Sequence, residues 1–203
     1  MKIICIGRNY AEHAKELGNK VPDEPVIFMK PKNALLPTGS SLFYPAFTNE
    51  LHYECELVIK ICKNGKFISV HQAKAFYNEI TVGIDFTARD IQDNLKKKSL
   101  PWEKSKAFDG SAAIGEWIGI NRLPDQRDVH FTFAKNGILV QEGFSRFMIF
   151  SIESIIADVS QYFTLNIGDL IFTGTPAGVG ETVVGDLLEG YLENEKVLSM
   201  EIR

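Results

Sequence analysis

The chain has 203 residues, 45% of them hydrophobic, with a formal net charge of −4. That length and apolar fraction suit one sizeable domain with its own core, or one domain with a small appendage. A mildly acidic chain without a basic block argues against nucleic acid as the main partner, and no stretch approaches the roughly 20 apolar residues of a membrane span.

The predicted elements are short. Ile3–Ile6 reads as a buried strand, broken by Gly7-Arg8-Asn9. Its apolar run is too short for a signal peptide. Tyr10–Leu17 has helix-forming composition and ends at Gly18. Val21-Pro22-Asp23-Glu24-Pro25 is a turn, and Val26-Ile27-Phe28-Met29 a strand stopped at Lys30-Pro31. Pro37-Thr38-Gly39-Ser40 is a turn, followed by an extended stretch over 41–47. Glu54–Cys62 reads as a strand, and Lys63-Asn64-Gly65-Lys66 as a hairpin turn. Val70–Asn78 reads as a helix and Ile80–Phe86 as a strand. Thr87 with Asp90 resembles a capping box, opening a helix that runs to about Lys98, where Lys96-Lys97-Lys98 forms a solvated end.

Ala112–Ile118 is strand-like, and Asp128–Val140 reads as a hairpin around Asn136-Gly137. Phe150–Tyr162 has helical periodicity. Asn166-Ile167-Gly168-Asp169 turns into the strand Leu170-Ile171-Phe172-Thr173, a glycine-rich loop spans Gly174–Gly180, and Asp186–Ile202 closes with two short strands. Short strands outnumber helices, which argues for a mixed fold dominated by β-structure. Cys5, Cys55 and Cys62 form no C-x-x-C pair, and an odd count makes a poor disulfide framework. A reducing cytoplasm is the simplest assignment.

Glu54 and Glu56 alternate in their strand-like run, so both carboxylates point to one face, about 7 Å apart. Like charges so placed need water or a cation. Asp85 ends another apolar run, Ile80-Thr81-Val82-Gly83-Ile84. Three hard oxygen donors would suit Mg²⁺, Mn²⁺ or Ca²⁺, with positions open for substrate. The same spacing also fits the wet face of an antiparallel strand whose apolar face is Tyr53, Cys55, Leu57, Ile59 and Ile61.

His13 and Glu16 share a helix face, which fits an oriented general base as well as a surface ion pair. Arg89 and Gln92 lie one turn apart near a helix start, where Arg89 could clasp a carboxylate and Gln92 bond a carbonyl, or Arg89 could pair with Asp93 on the helix surface. Lys104 and Lys106 flank Ser105, and either could steady an oxyanion or simply be solvated. Thr173–Gly180 is neither phosphate-loop pattern. It reads as a tight loop offering backbone N–H groups and the Thr175 hydroxyl to an anionic ligand, with a plain structural turn as the other reading. There is no G-x-S-x-G elbow and no H-E-x-x-H helix. His52 precedes its strand as a structural or substrate-adjacent residue.

In chain order stand Gly7-Arg8-Asn9-Tyr10-Ala11-Glu12-His13, Phe28-Met29-Lys30-Pro31 and Leu51-His52-Tyr53-Glu54-Cys55-Glu56-Leu57. Asp85-Phe86-Thr87-Ala88-Arg89-Asp90-Ile91-Gln92 and Lys96-Lys97-Lys98-Ser99-Leu100-Pro101-Trp102 follow, then Met148-Ile149-Phe150-Ser151-Ile152 and Thr173–Gly180. Together, across nearly the whole chain, they resemble the fumarylacetoacetate hydrolase family, in its short single-domain members of the acylpyruvate hydrolase or oxaloacetate decarboxylase type.

The resemblance implies an α+β, β-rich fold of rolled mixed sheets with a few short helices. Residues 1–203 would form a single catalytic domain, with 1–45 as a candidate N-terminal subdomain carrying a lid helix, in a homodimer. It implies that Glu54, Glu56 and Asp85 bind Mg²⁺ or Mn²⁺. His13 and Glu16 would form a water-activating dyad. Lys106, preceding Ala107-Phe108-Asp109, matches the catalytic lysine, and Lys104 does not. Arg89, Gln92 and Thr175 match substrate-contacting positions.

The expected activity is hydrolytic C–C cleavage of a small 2,4-dioxo acid, an acylpyruvate, through an enolate held at the metal, with decarboxylation of oxaloacetate from the same site. Two rivals stand beside it. One is isomerisation or decarboxylation of 2-hydroxyhepta-2,4-diene-1,7-dioate type; the other is a catalytically silent metal- or ligand-binding protein.

Overall fold

The structure is a computed structural model and describes residues 1–16, 18 and 20–203. A seven-stranded sheet runs in the order Val26–Lys30, Ile3–Gly7, Leu170–Phe172, Cys55–Ile61, Tyr77–Asp85 and Ala112–Ile114, with Ile118–Gly119 also pairing with Tyr77–Asp85. Ile3–Gly7 and Leu170–Phe172 pair in parallel, and the other pairings are antiparallel. A four-stranded sheet follows the order Ile138–Phe144, His130–Lys135, Leu187–Leu192 and Glu195–Glu201. A small third sheet joins Gly180–Glu181, Leu51–Tyr53 and Thr87–Ala88. With a few short helices, this is the β-rich α+β fold that the resemblance implies. No helix among the described residues is long and apolar enough to cross a membrane.

The central strand Cys55–Ile61 is covered on both faces, so Leu57, Val58 and Ile59 are all fully buried. Only a strand enclosed between layers can be apolar on both faces. The longest helix, Ile152–Tyr162, buries Ile152, Ile155, Ile156 and Val159, one stripe at helical spacing. The Ser151 hydroxyl caps its start by accepting from the Ser154 N–H. The hairpin turn at Asn136-Gly137 is present, both residues having positive φ, as a two-residue turn of this type requires.

Several local expectations are overturned. Lys63–Lys66 is no hairpin turn, because the next paired strand begins only after the helix Val70–Ala73 and the 3₁₀ turn Lys74–Phe76, and Gly65 instead bridges to Leu165. Tyr77 and Asn78 belong to the strand Tyr77–Asp85, where cross-strand pairing outweighs helix composition. The capping box at Thr87 is absent: Thr87 lies in a strand, and the Asp90 carboxylate accepts from the Thr48 hydroxyl and the Asn49 N–H. The first helix is described over Ala11–Glu16, and its expected end at Leu17 lies outside the described residues.

The decisive feature is a corner. The chain leaves the small sheet at Tyr53, passes through Glu54 and enters the large sheet at Cys55. Alongside, it leaves the large sheet at Asp85 and re-enters the small one at Thr87. The Asp85 N–H donates to the Glu54 carbonyl at 2.8 Å, so the two crossings are tied together.

Candidate active site

The corner collects the three carboxylates. Glu54, Glu56 and Asp85 each offer an oxygen within 4.8 Å of the others, and all three residues are buried. The wet-face reading is therefore wrong: Glu54 sits between strands, and both faces here are closed to solvent. Burial works to raise the Glu54 carboxyl, but the Lys106 and Arg89 cations overrule it and hold it well below the ordinary range. Burial first and Asp85 second push Glu56 well above that range. Among the described residues Glu56 has no cation within ion-pair distance, and a buried carboxylate so placed beside two others is what a divalent cation relieves.

Cations crowd the other side. The Lys106 ammonium bridges Glu54 Oε2 at 2.8 Å and Asp85 Oδ2 at 2.7 Å. Those two carboxylates hold its pKa up against burial, which works to lower it. Lys104 is exposed and takes no part. The register follows from the short helix Glu103–Lys106, which turns Ser105 and Lys106 inward. Lys30, fully buried at the end of its strand, stands 2.8 Å from Asp85 Oδ1. Its three N–H groups are spent on the Lys106 carbonyl and, at 3.0 Å each, on the Ser111 carbonyl and hydroxyl. Among the described residues Asp85 Oδ1 therefore receives charge but no hydrogen bond, and is a buried oxygen without a donor. Hard oxygen donors, one of them orphaned, fit a divalent metal.

Arg89 is not a free fork, and it does not pair with Asp93. One terminal nitrogen donates to Glu54 Oε1 at 2.5 Å, the other to Gln92 Oε1 at 2.6 Å, and Nε reaches His52 Nδ1 at 3.4 Å. Because Gln92 accepts through its oxygen, its NH₂ group keeps donors for a ligand.

His13 and Glu16 come together as the spacing allows, Nδ1 to Oε2 at 3.1 Å, with His13 buried. A carboxylate only accepts, so Nδ1 carries the proton and Nε2 keeps a lone pair. Glu16 is itself held by the Gly178 N–H at 3.1 Å. At Gly178 φ is +95° and a Cβ would collide with the Val140 carbonyl, so only glycine fits.

The glycine-rich loop differs from expectation here. The Gly178 N–H serves Glu16, and the Gly174 N–H donates to Glu56 Oε2 at 2.7 Å, so both meet protein carboxylates rather than an outside anion. Thr175 does line the cleft. Its hydroxyl oxygen accepts from Gln141 Nε2 at 2.8 Å. The same amide donates to the Pro176 carbonyl at 2.9 Å, and its oxygen accepts from the Cys55 N–H at 2.9 Å.

One cleft is lined by all the metal candidates together with His13, Lys106, Arg89, Gln92 and Thr175. Lys30 and Gln141 were not among the expected site residues. Lys30 stood inside the quoted Phe28-Met29-Lys30-Pro31 segment, where a lysine in an apolar strand was the available signal. Gln141 carried none, being one polar residue in an alternating hairpin strand. Arg8 and Lys96 also line the cleft. Lys96 corrects the expected solvated helix end: Lys97 and Lys98 are exposed, while Lys96 is half-buried. Cys5 and Cys55 are buried free thiols.

The chain is similar to known proteins along nearly its whole length. The fumarylacetoacetate (FAA) hydrolase C-terminal family matches residues 2–203. Oxaloacetate tautomerase FAHD1, mitochondrial, of Bos taurus is 40% identical over 201 residues, covering 99% of this chain and 90% of the relative. The fumarylpyruvate hydrolase of Pseudomonas aeruginosa, solved with Mn²⁺ and pyruvate, superposes with a TM-score of 0.94 at 36% identity, covering 100% of this chain and 89% of that one. The 2-hydroxyhepta-2,4-diene-1,7-dioate isomerase of Mycobacterium marinum gives 0.85 at 32% identity, covering 99% and 73%.

Proposed function

The chain belongs to the fumarylacetoacetate hydrolase family, and on that footing we propose that it is a metal-dependent enzyme cleaving a C–C bond of small 2,4-dioxo acids and decarboxylating oxaloacetate. The observation that carries this is the juxtaposition, in one cleft, of a buried carboxylate triad and an oriented histidine.

Glu54, Glu56 and Asp85 would hold Mg²⁺ or Mn²⁺, and the ion, when bound, supplies Lewis-acid polarisation of a 2-oxo acid. The choice between the two ions is open to titration, and the Mn²⁺ bound to the P. aeruginosa enzyme supports either hard cation. His13 Nε2 takes a proton from water, and Glu16 steadies the resulting imidazolium through Nδ1. The hydroxide so formed attacks the distal carbonyl. Thr175 and Lys106 donate to the oxygen on which charge develops. Gln92 turns its NH₂ donors on the substrate, and Arg89 keeps two N–H hydrogens beyond those spent on Glu54, Gln92 and His52. Breaking the C3–C4 bond then releases a carboxylic acid and the pyruvate enolate, whose C3 takes back the proton held on His13 to give pyruvate.

A second reading is keto–enol tautomerisation of oxaloacetate, which the name of the Bos taurus relative favours. It needs the proton transfer but no attacking water. Isomerisation of dienedioates, the activity named for the M. marinum neighbour, has the same requirement.

Residues 1–203 act as one catalytic unit in this proposal, since Ile3–Gly7 and Val26–Lys30 are strands of the large sheet. A homodimer is supported by exposed Ile138, Leu139, Val183 and Leu187 around the Asn136–Asp186 hydrogen bond. A reducing, cytoplasmic setting is supported by three free thiols. The test is a turnover panel of acetylpyruvate, oxaloacetate and a dienedioate with Mg²⁺ and Mn²⁺; metal binding without turnover of any of them refutes the enzyme.

A further inference from the structure

One buried ammonium has more neighbours than hydrogens. Lys30 Nζ meets four oxygens: the Lys106 carbonyl, the Ser111 carbonyl and hydroxyl at 3.0 Å each, and Asp85 Oδ1 at 2.8 Å. An ammonium carries three N–H bonds, so one oxygen must go without. The first three receive the hydrogen bonds, and Asp85 Oδ1 is the oxygen left out.

Ser111 decides which one. Its hydroxyl has a single proton, which goes to the Lys106 carbonyl at 2.8 Å, so its oxygen must accept from Lys30. Its own carbonyl is held by the Phe86 N–H at 2.9 Å, beside Asp85 in the chain. Lys30 and Ser111 are both buried. The Lys106 carbonyl closes the short helix Glu103–Lys106, where the last carbonyls have no partner within the helix. Lys30 and Ser111 supply that partner. They thereby fix the backbone of the residue whose ammonium bridges Glu54 and Asp85.

We infer that Lys30 and Ser111 are positioning residues for the metal site: Ser111 occupies two of the three Lys30 N–H groups, so that Asp85 Oδ1 is balanced in charge yet keeps its lone pairs for a divalent cation. The inference rests on the proposed metal-binding triad, and it assigns roles to two residues that do not line the cleft. A free choice would go the other way, because an N–H bond to a carboxylate is stronger than one to a neutral oxygen. The neutral oxygens are each held by a further bond, and together they use up the donors.

The test is the calorimetric affinity for Mn²⁺ without substrate, with acetylpyruvate turnover at saturating Mn²⁺ beside it. In Ser111→Ala one Lys30 N–H loses its acceptor and turns onto Asp85 Oδ1. Mn²⁺ affinity is expected to fall about tenfold, while kcat at saturating Mn²⁺ stays within about threefold. Lys30→Met removes the donors at similar volume. It should bind Mn²⁺ at least as tightly as the wild type, because a cation has left the ligand's side. In that background Ser111→Ala should change the affinity by less than about twofold. Unchanged Mn²⁺ affinity in Ser111→Ala overturns the inference. So does an equal loss in both backgrounds, which is what a merely structural role predicts. Should Lys30→Met not fold, Ser111→Ala decides alone: affinity lost with kcat kept supports the inference, and any other result overturns it. A wild type that binds no Mn²⁺ overturns the proposed metal site, and this inference with it; a wild type that binds no better than Ser111→Ala overturns this inference alone.

Discussion

Gln141 Nε2 stands 2.8 Å from the Thr175 hydroxyl oxygen, and that bond sets which way Thr175 can act. The Gln141 amide has no freedom to flip, because its oxygen must accept from the Cys55 N–H and its nitrogen must donate to the Pro176 carbonyl. Thr175 therefore accepts from Gln141, and its own proton has only a long contact, 3.5 Å to the Pro176 carbonyl, to give up when a ligand oxygen enters the cleft.

Removing the bond should release that proton's direction. Gln141→Leu is expected to lower turnover about tenfold, comparable with Thr175→Val, and the double variant should lose little more than either alone. Steady-state kinetics on the four proteins checks this; fully additive losses would separate the two residues.

Asp85 is the residue on which charge and metal meet. Asp85→Asn and Glu54→Gln should each abolish metal-dependent turnover of acetylpyruvate. Asp85→Asn should also cost about 3–5 kcal/mol of stability, because Lys30 and Lys106 lose a buried counter-charge. Full activity of either variant without added metal would be fatal to the proposed site.

His13→Ala separates the reactions. Hydrolysis needs a base for water, and it should fall by about 100-fold or more. Decarboxylation of oxaloacetate needs an electron sink instead and should fall far less. Equal losses on acetylpyruvate and oxaloacetate would remove the dyad's special role.

Metal binding should be visible without any substrate. An ion that binds only the folded triad at 100 times its Kd stabilises by about 2.7 kcal/mol, which at this chain length is about 2–4 °C per kcal/mol. Thermal melts with EDTA against Mg²⁺ or Mn²⁺ measure it, and Glu56→Gln should abolish the shift. Unchanged melts in all ions would count against the triad.

Outside the lining of the cleft, Asp186 offers a pH test. Burial works to raise its carboxyl, but the Val183 N–H, Asn136 and Thr182, with Lys135 nearby, hold it below the ordinary value. A lowered folded value means that the stabilisation is fully present above the ordinary carboxyl pKa and fades as pH falls through the folded one. Asp186→Asn should therefore melt below wild type at neutral pH, by about 1–3 kcal/mol, and the gap should close in acid below about pH 4. Melts across that window decide it, and a gap independent of pH would sink the assignment.

Much of the site was legible in the residues. The pairings His13 with Glu16 and Arg89 with Gln92 lie one helical turn apart, and local geometry carries such contacts regardless of the rest of the chain. The alternation of Glu54 and Glu56 put both carboxylates together for the same reason. The order of the segments marked the family, and with it Lys106 over Lys104.

What the chain could not tell from its own spacing was burial and partnership at long range. Whether Glu54 and Glu56 face water or an enclosed cleft depends on what covers the strand, and that is settled by the corner where Glu54 and Asp85 cross between sheets. Lys30 meets Ser111 across 81 residues, Gln141 meets Cys55 across 86, and Gly178 meets Glu16 across 162. No local pattern encodes such contacts, because they exist only once non-adjacent strands have paired and excluded water. Composition and motif order determined which groups the protein carries. The tertiary structure alone decided which of them share a closed cleft, because desolvation is what turns neighbouring charges into a site.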